Sequence, residues 1–518
     1  MSFSKIITAQ IYMLQPVFVD VEVDISRGLN AFTIVGLPDK AVEEAKDRVS
    51  AAIKNTGFDS PKSKNHKLTI SLAPAELRKE GANFDLAIAL AYLTAVDDIR
   101  FDPKEKLFLG ELSLDGTMRN IKGALSLVIA AKKKGIKEIY IPSSNADEVS
   151  MINGIDIYAV DSLRHIVEHL NTKKLNNDTN KAGIEKRSIG PLETKSLLIE
   201  QQEILADFKD IKGQEGAKRA LEIAASGGHN IMMYGPPGTG KTMLAKAFRY
   251  LLPELTFEEM LEVTTIHASS GISQICIHPP FRAPHHTASY VSMVGGGAHP
   301  KPGEVTFSHR GVLFMDEFPE FDSSVIESLR QPLEEHVVNI SRAKTSVQFP
   351  ADFILIGSMN LCPCGYLGSK QKACICSEKI MRKYQRKVSG PITDRIDLWV
   401  EVSEISYKKL SSEASLESTE YIRKRVRAAR LLQKKRGFDF GESGVLNSRI
   451  DHKYIIEHCL MSKDASKLLD DSAATLHLSP RMYHRIIRIS RTIADLEGER
   501  EIREKHILEA LQYRPRMG

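Results

Sequence analysis

The 518-residue sequence predicts a multidomain α/β protein, with an N-terminal α/β domain, a central domain built on a parallel sheet and a C-terminal domain of helices. Three observations predict it. Residues 1–170 alternate β-branched, strand-like runs with helical runs. Residues from about 200 to 402 carry helix, strand, Gly-rich turn and helix in succession, then further apolar strands. From 407 onward the apolar spacing is helical throughout. The length agrees, since roughly 100 to 200 residues per domain gives two to four domains.

In the first domain, residues 17–23 have the partly alternating look of a strand, and 39–56 read as an amphipathic helix after the Gly36-Leu37-Pro38 turn. A strand is expected at 67–72, a buried helix at 84–96, another helix at 125–134 and a strand at 138–141. Residues 171–190 are rich in Asn and Lys and offer little to anchor a core, so they are expected to be a linker. Domain boundaries are therefore placed at 1–170, 171–190, 191–402 and 403–518.

Composition excludes several classes. Hydrophobic residues make up 42% and charged residues 26%, close to the globular average, and 71 basic against 66 acidic residues leave a charge of +5, too small for a general nucleic-acid coat protein. The most apolar long stretch, 86–96, is well short of the roughly 20 residues of a membrane-spanning helix. The N-terminus lacks a signal-peptide pattern, and the six cysteines do not form a disulfide framework, so a cytoplasmic protein is expected.

Chemistry concentrates in the centre. Gly235-Pro236-Pro237-Gly238-Thr239-Gly240-Lys241-Thr242 fits G-x-x-x-x-G-K-[ST] between a strand at 230–234 and a helix at 243–251. Glycines let the turn wrap closely, so that backbone N–H groups and the helix N-terminus face phosphates. Lys241 would neutralise the β- and γ-phosphate oxygens of ATP, and Thr242 would offer a hydroxyl to Mg2+. A second acid-ended strand, Val312-Leu313-Phe314-Met315-Asp316-Glu317, supplies Asp316 for the metal and Glu317 to polarise the attacking water. Asn360 ends the next apolar strand, 353–359, where a side chain can orient that water.

Together these motifs resemble an AAA+ ATPase, with Asn360 at the sensor 1 position. The run Ile392-Thr393-Asp394-Arg395-Ile396-Asp397-Leu398 is similar to a signature of the magnesium chelatase and MCM-like branch, which implies that Arg395 is an arginine finger reaching the neighbouring subunit's nucleotide. Leu478-Ser479-Pro480-Arg481 resembles the sensor 2 motif, which implies that Arg481 reaches the γ-phosphate. The resemblance implies a homo-oligomeric ring of six subunits.

Residues 79–85, 110–116 and 135–145 resemble the protease domain of Lon, a ribosomal S5 domain 2-like fold. Lon-type proteolysis needs a Ser and a Lys, and Asn83 and Leu125 stand at those positions, so the domain is expected to be an inactive docking or assembly module. With residues 32–39, 281–287 and 491–496, the whole chain resembles the YifB/ComM family. What that resemblance implies is an ATP-driven DNA translocase, a branch-migration helicase acting in natural transformation and recombination. A chelatase-type protein-remodelling ATPase and an ATP-dependent protease are the alternatives.

Contact with DNA needs cations on elements that enter the ring channel. Candidates are Arg282 and Lys301, in the long segment 281–304, and Arg342 and Lys344, at the tip of an expected hairpin over 337–347; solvated surface charge is the plainer reading. The run 421–436 has eight Lys or Arg and no acid, which suits either a phosphate backbone or an acidic neighbour. Arg481, Arg485 and Arg488 share one helical face, expected to point toward nucleotide and subunit interface. Finally, Cys362, Cys364, Cys374 and Cys376 can surround Zn2+ tetrahedrally, although C-x-C is tighter than the usual ligand spacing; four uncoordinated thiols or a redox-sensitive pair are the alternatives.

Overall fold

The computed structural model describes residues 3–63, 65–172, 188–195, 203–272, 274–297, 300–342, 345–369, 372–388, 390–405, 417–439 and 445–515. They form two compact units, one of residues 1–200 with 264–275, the other of 201–263 with 276–518.

In the first unit, β1 (Phe3–Tyr12), β2 (Gln15–Arg27), β3 (Ala31–Val35) and β4 (His66–Ala73) form a sheet of order β1-β2-β4-β3, antiparallel except for the β3/β4 pair. Strand β4 buries Leu68, Ile70 and Leu72 on one face, the period of two that its sequence carries. The helix Lys40–Asn55 starts where the Asp39 carboxylate accepts the Val42 N–H at 2.8 Å, and it buries Val42, Ala45, Val49, Ala52 and Ile53 at helical spacing. The helix Asp85–Ala95 is buried all round, as its uninterrupted apolar run predicts. Its first residue, Asp85, is paired with Arg48 at 2.8 Å. Burial outweighs that partner and pushes the Asp85 carboxyl up to about 6.

Three parallel strands follow, β5 (Lys106–Phe108), β8 (Glu138–Pro142) and β9 (Asp156–Val160), in the order β5-β8-β9, with a hairpin of β6 (Glu111–Leu112) and β7 (Met118–Arg119). Of the expected linker, 171–190, residues 173–187 lie outside the described residues; Thr172 N–H bonds Arg100 O at 2.9 Å and Ile189 N–H bonds His169 Nδ1 at 2.9 Å, and just beyond it Leu192 N–H bonds Ile157 O at 2.7 Å and Lys195 N–H bonds Ser150 O at 3.0 Å. Backbone pairing of this kind needs no apolar side chain, so composition did not reveal it.

The second unit carries a five-stranded parallel sheet of β10 (Ile231–Tyr234), β11 (Phe281–Arg282), β14 (Val312–Met315), β17 (Ile354–Met359) and β18 (Leu398–Glu401), in the order β11-β14-β17-β10-β18. Strands β10, β14 and β17 are buried at every position, the continuous apolar reading of a sheet covered on both faces. Two small antiparallel pairs, β12 (Gly295–Gly296) with β13 (Lys301–Pro302) and β15 (Val337–Arg342) with β16 (Thr345–Pro350), belong to the same unit.

The C-terminal helices do not form a core of their own. Ile422 and Val426 of the helix Thr419–Asp439 and Ile486 and Ile493 of the helix Pro480–Leu496 pack in the same cluster as Ile231, Val312, Ile356 and Leu398 of the sheet. The helical region expected from 403 shares this buried cluster with the sheet, and the helix Glu215–Gly227 lies against both Thr419–Asp439 and Pro480–Leu496 and against the strands β10 and β18.

Candidate nucleotide site

Three neighbouring parallel strands bring their C-terminal ends to one edge. β10 runs into the Gly-rich turn, β14 ends before Asp316 and β17 ends before Asn360, with Tyr234 opposite Met359 and Met315 opposite Gly357. In an open α/β sheet this edge is where ligands bind.

The turn has the backbone such a site needs. Gly238 and Gly240 adopt φ of +76° and +93°, and a Cβ on either would meet nothing within 4 Å, which leaves open space above the turn. Gly235 is required for a different reason, since a Cβ there would fall 2.1 Å from Val402 O. The helix Lys241–Phe248 begins at Gly240, so its free N–H groups and its positive dipole end face the turn. Lys241 is buried, with Nζ 2.8 Å from both Gly235 O and Pro236 O and 3.2 Å from Asn360 Oδ1. Burial draws its amine down to about 8, against the pull of Asp316 and Glu317.

Thr242 Oγ1 donates to Asp316 Oδ2 at 2.8 Å, and the Ser358 hydroxyl donates to Asp316 Oδ1. A hydroxyl and a carboxylate oxygen side by side, next to a lysine and open backbone amides, fit Mg2+ with a nucleotide phosphate; oxygen donors of this kind suit that cation. Glu317 is left-handed, at φ +53°, a conformation that turns its carboxylate out of the strand's line. Its N–H reaches Ser358 Oγ at 3.3 Å, and its Oε2 lies 3.5 Å from His286 Nδ1. Lys241, Thr242, Asp316 and Asn360 thus lie together at this edge. Ser358 and His286 were not foreseen, Ser358 because it reads as one more residue of a strand and His286 because it lies 31 positions from Glu317.

Arg395 and Arg481 converge elsewhere. Arg395 ion-pairs with Glu334 and donates to Pro391 O at 2.7 Å, and Arg481 reaches the other oxygen of Glu334 at 3.2 Å. Burial raises the Glu334 carboxyl, yet the two guanidinium groups bring it below the ordinary glutamate value. In this protomer Arg481 therefore meets Glu334, where the sensor 2 resemblance led us to expect a reach toward the γ-phosphate. Glu334 had no signal in the sequence. Arg485 and Arg488 are engaged within the unit as well, on Asp394 O with Asp397 and on Ile450 O respectively.

The DNA candidates divide. Arg282 makes two bonds to Glu304, at 2.6 and 2.7 Å, and covers the Phe307 ring, so it is a fixed structural ion pair and not a free cation. Lys301 is exposed. The hairpin expected at 337–347 forms, with Arg342 closing β15 opposite Thr345; Lys344 lies outside the described residues. The cationic run has an acidic neighbour: Arg423 and Arg427 pair with Glu254, Arg425 with Glu222 and Glu417, and Arg436 with Asp495. Four of the eight cations thus face acids within the unit, whereas Lys424, Lys434 and Lys435 are exposed.

The cysteine sulfurs of Cys362, Cys364, Cys374 and Cys376 all lie within 4.8 Å of one another. Cys459 is buried in the core, and burial pushes its thiol up to about 12. In the first unit, Leu125 is buried in the core and Asn83 accepts the Gly110 N–H at 3.2 Å through its carbonyl, so neither supplies a nucleophile.

A phosphate loop, an acid-ended neighbouring strand and a polar residue at the end of the strand between them define an AAA+ ATPase of the magnesium chelatase type, which uses ATP and Mg2+. Residues 207–410 match the profile described as magnesium chelatase, subunit ChlI; residues 21–145 match the profile of subunit ChlI of Mg-chelatase, and 416–514 that of the ChlI C-terminal region. The chain is 40% identical over 509 residues to competence protein ComM of Haemophilus influenzae, covering 97% of this chain and 95% of that one. It is 38% identical over 501 residues to the YifB protein of Escherichia coli, covering 96% and 94%. A Lon protease 2 of Bacillus subtilis is 32% identical over 187 residues, 30% of this chain and 33% of that protein. The chain belongs to the YifB/ComM family.

Proposed function

We propose that this protein is a ring-forming ATPase that moves branched DNA, as a branch-migration helicase serving recombination of incoming DNA in competence. One observation carries the ATPase half, the meeting of Lys241, Thr242, Asp316 and Asn360 at one sheet edge. Lys241 and the turn amides hold the β- and γ-phosphates of ATP, while Thr242 and Asp316 hold magnesium, which neutralises charge on those phosphates. Glu317 accepts a proton from the water that attacks the γ-phosphorus as the bond to the bridging oxygen breaks and ADP leaves, and Asn360 orients that water. Arg395 and Arg481, gathered on Glu334, serve a neighbouring subunit's phosphates, so that hydrolysis depends on assembly into a hexamer.

Likeness to a competence protein over nearly the whole chain supports the DNA half. Lys301 and the β15–β16 hairpin with Arg342 and Lys344 would face the channel. No helix among the described residues is long and apolar enough to cross a membrane. Together with the free thiols, that suits work in the cytoplasm. The likeness of all three chelatase profiles keeps one other reading, a chelatase-type motor that remodels a protein partner.

The test compares ATP turnover and four-way-junction dissociation with no DNA, duplex and branched DNA, with Lys241→Ala and Glu317→Gln as controls. Stimulation by branched DNA and junction dissociation, both lost in the controls, are expected. ATP turnover indifferent to every DNA but raised by a protein partner would transfer the assignment to remodelling.

A further inference from the structure

The loop from Asn360 to Ser377 lies between β17 and the helix Glu378–Gln385 and has no regular secondary structure in its described residues. A segment of that length inside a compact unit needs something to fix it. Apolar burial is not enough, since Cys362 is buried while Cys364, Cys374 and Cys376 are half-exposed. Nor is a disulfide present, since all four are free thiols.

The sulfurs are nonetheless gathered at one point. Cys362 Sγ is 3.4 Å from Cys364 Sγ and 3.6 Å from Cys374 Sγ, and Cys364 Sγ is 3.6 Å from Cys374 Sγ. With metal–sulfur bonds of about 2.3 Å, the edges of a regular ZnS4 tetrahedron are ~3.8 Å. These separations come close to that, and none of the remaining ones exceeds 4.8 Å. Main-chain amides point at the sulfurs as they do around metal-bound thiolates: Leu367 N–H reaches Cys362 Sγ at 3.3 Å, and the amides of Tyr366 and Ile375 face Cys364. Each C-x-C pair is tighter than the usual spacing, but it works here because the two pairs approach from opposite ends of the loop and each contributes one edge.

We propose that Cys362, Cys364, Cys374 and Cys376 bind one structural Zn2+, and that this ion props the wall of the nucleotide site. Four thiolates close the coordination sphere, which excludes a catalytic role for the ion and makes it a staple. The second part of the proposal rests on the nucleotide reading above and on one glycine. Gly365 directly follows the second ligand, donates its N–H to Cys362 O at 3.0 Å and has φ of +83°. A Cβ there would come within 3.1 Å of Pro237 Cδ in the phosphate loop and 3.6 Å of Asn360 Nδ2. The metal loop thus lies directly against both the turn that cradles phosphate and the residue placed to orient water. Losing the ion would loosen both.

The experiment uses the full chain purified under reducing conditions. Elemental analysis is expected to find one zinc per chain, and Co2+ added to the metal-stripped protein is expected to give the intense sulfur-to-cobalt absorption of a tetrahedral thiolate site. Absence of metal together with absence of that spectrum overturns the site, and iron in place of zinc overturns the identity of the ion. Stripping zinc is expected to weaken binding of a fluorescent ATP analogue on the order of tenfold to a hundredfold, with recovery when zinc is returned. Unchanged nucleotide affinity overturns the coupling and leaves the metal site standing. A protein that holds zinc but binds no nucleotide in either form overturns the nucleotide reading instead. Cys364→Ser and Cys374→Ser should lose the metal, and the emission of the single tryptophan, buried Trp399, reports whether either variant has unfolded.

Discussion

Glu317 is the side chain in the nucleotide site on which hydrolysis alone should depend. Its backbone is left-handed and its carboxylate lies 3.5 Å from His286 Nδ1, whereas Asp316 accepts the Thr242 hydroxyl. Glu317→Gln is therefore expected to bind ATP with near-normal affinity while turnover falls by a factor on the order of 10²–10⁴, measured as single-turnover hydrolysis beside nucleotide binding. Glu334 differs in kind, because it touches two arginines and no Walker residue. Glu334→Gln should lower kcat of the assembled protein by roughly tenfold while leaving the KM for ATP within about twofold, the loss of a charged bond that positions other groups. An equal rise in KM would mean that Glu334 shapes the nucleotide pocket itself. Arg395→Ala should cost more, about 10³ in kcat, and only at concentrations where rings form.

Among the elements, the β15–β16 hairpin and the cationic helix are both basic but have different assignments. The helix Thr419–Asp439 sets Arg423, Arg425, Arg427 and Arg436 against Glu222, Glu254, Glu417 and Asp495, so the charge of those four arginines serves packing, while Lys424, Lys434 and Lys435 are exposed. Six register pairs hold the strands of the hairpin, which buries Val338, Ile340, Val347 and Phe349. Arg342→Ala with Lys344→Ala is expected to leave DNA-free ATP turnover unchanged, to weaken DNA binding, and to flatten its log–log dependence on salt by about one to two units. Affinity titrations at several salt concentrations check this; an unaltered slope would remove the hairpin from the DNA path. The sequence made both elements visible as charged segments, but it could not name the acids that the helix meets, because they lie up to 203 positions away.

At the scale of the molecule, acid should weaken the second unit through an identifiable group. His309 Nδ1 accepts the Asp352 N–H at 2.9 Å, so its Nε2 carries the proton and donates to Glu262 at 3.2 Å; Arg310 adds a bond at 3.0 Å. His309 first, then Arg310, hold the Glu262 carboxyl down at about 2, against the opposing effect of burial. A carboxylate with a depressed folded value contributes stability that is complete above about 4.5 and is lost as pH falls toward 2. Because Glu262 is half-exposed, the contribution is screened to about 1 kcal/mol. Denaturant unfolding followed by Trp399 emission should show wild type more stable than Glu262→Gln by that amount at pH 6, with the gap closing through pH 4 to 2.

The two-unit division was only half legible. An Asn- and Lys-rich run marked the end of the first fold, but the pairing of Leu192 with β9 and the return of residues 264–275 to that unit needed coordinates. What the sequence determined by itself was local: the strands at 231–234, 312–315 and 354–359, the helices under continuous apolar runs, and the phosphate turn, each specified by neighbours a few residues apart. What only the tertiary structure decided was pairing over distance. It placed Ser358 beneath Asp316, put Arg395 and Arg481 on Glu334, took Arg282 out of contention for DNA and drew four sulfurs to one point. Periodicity and turn chemistry are properties of a short stretch of chain, whereas the partner of a charge is set by which distant segment the packed core brings beside it.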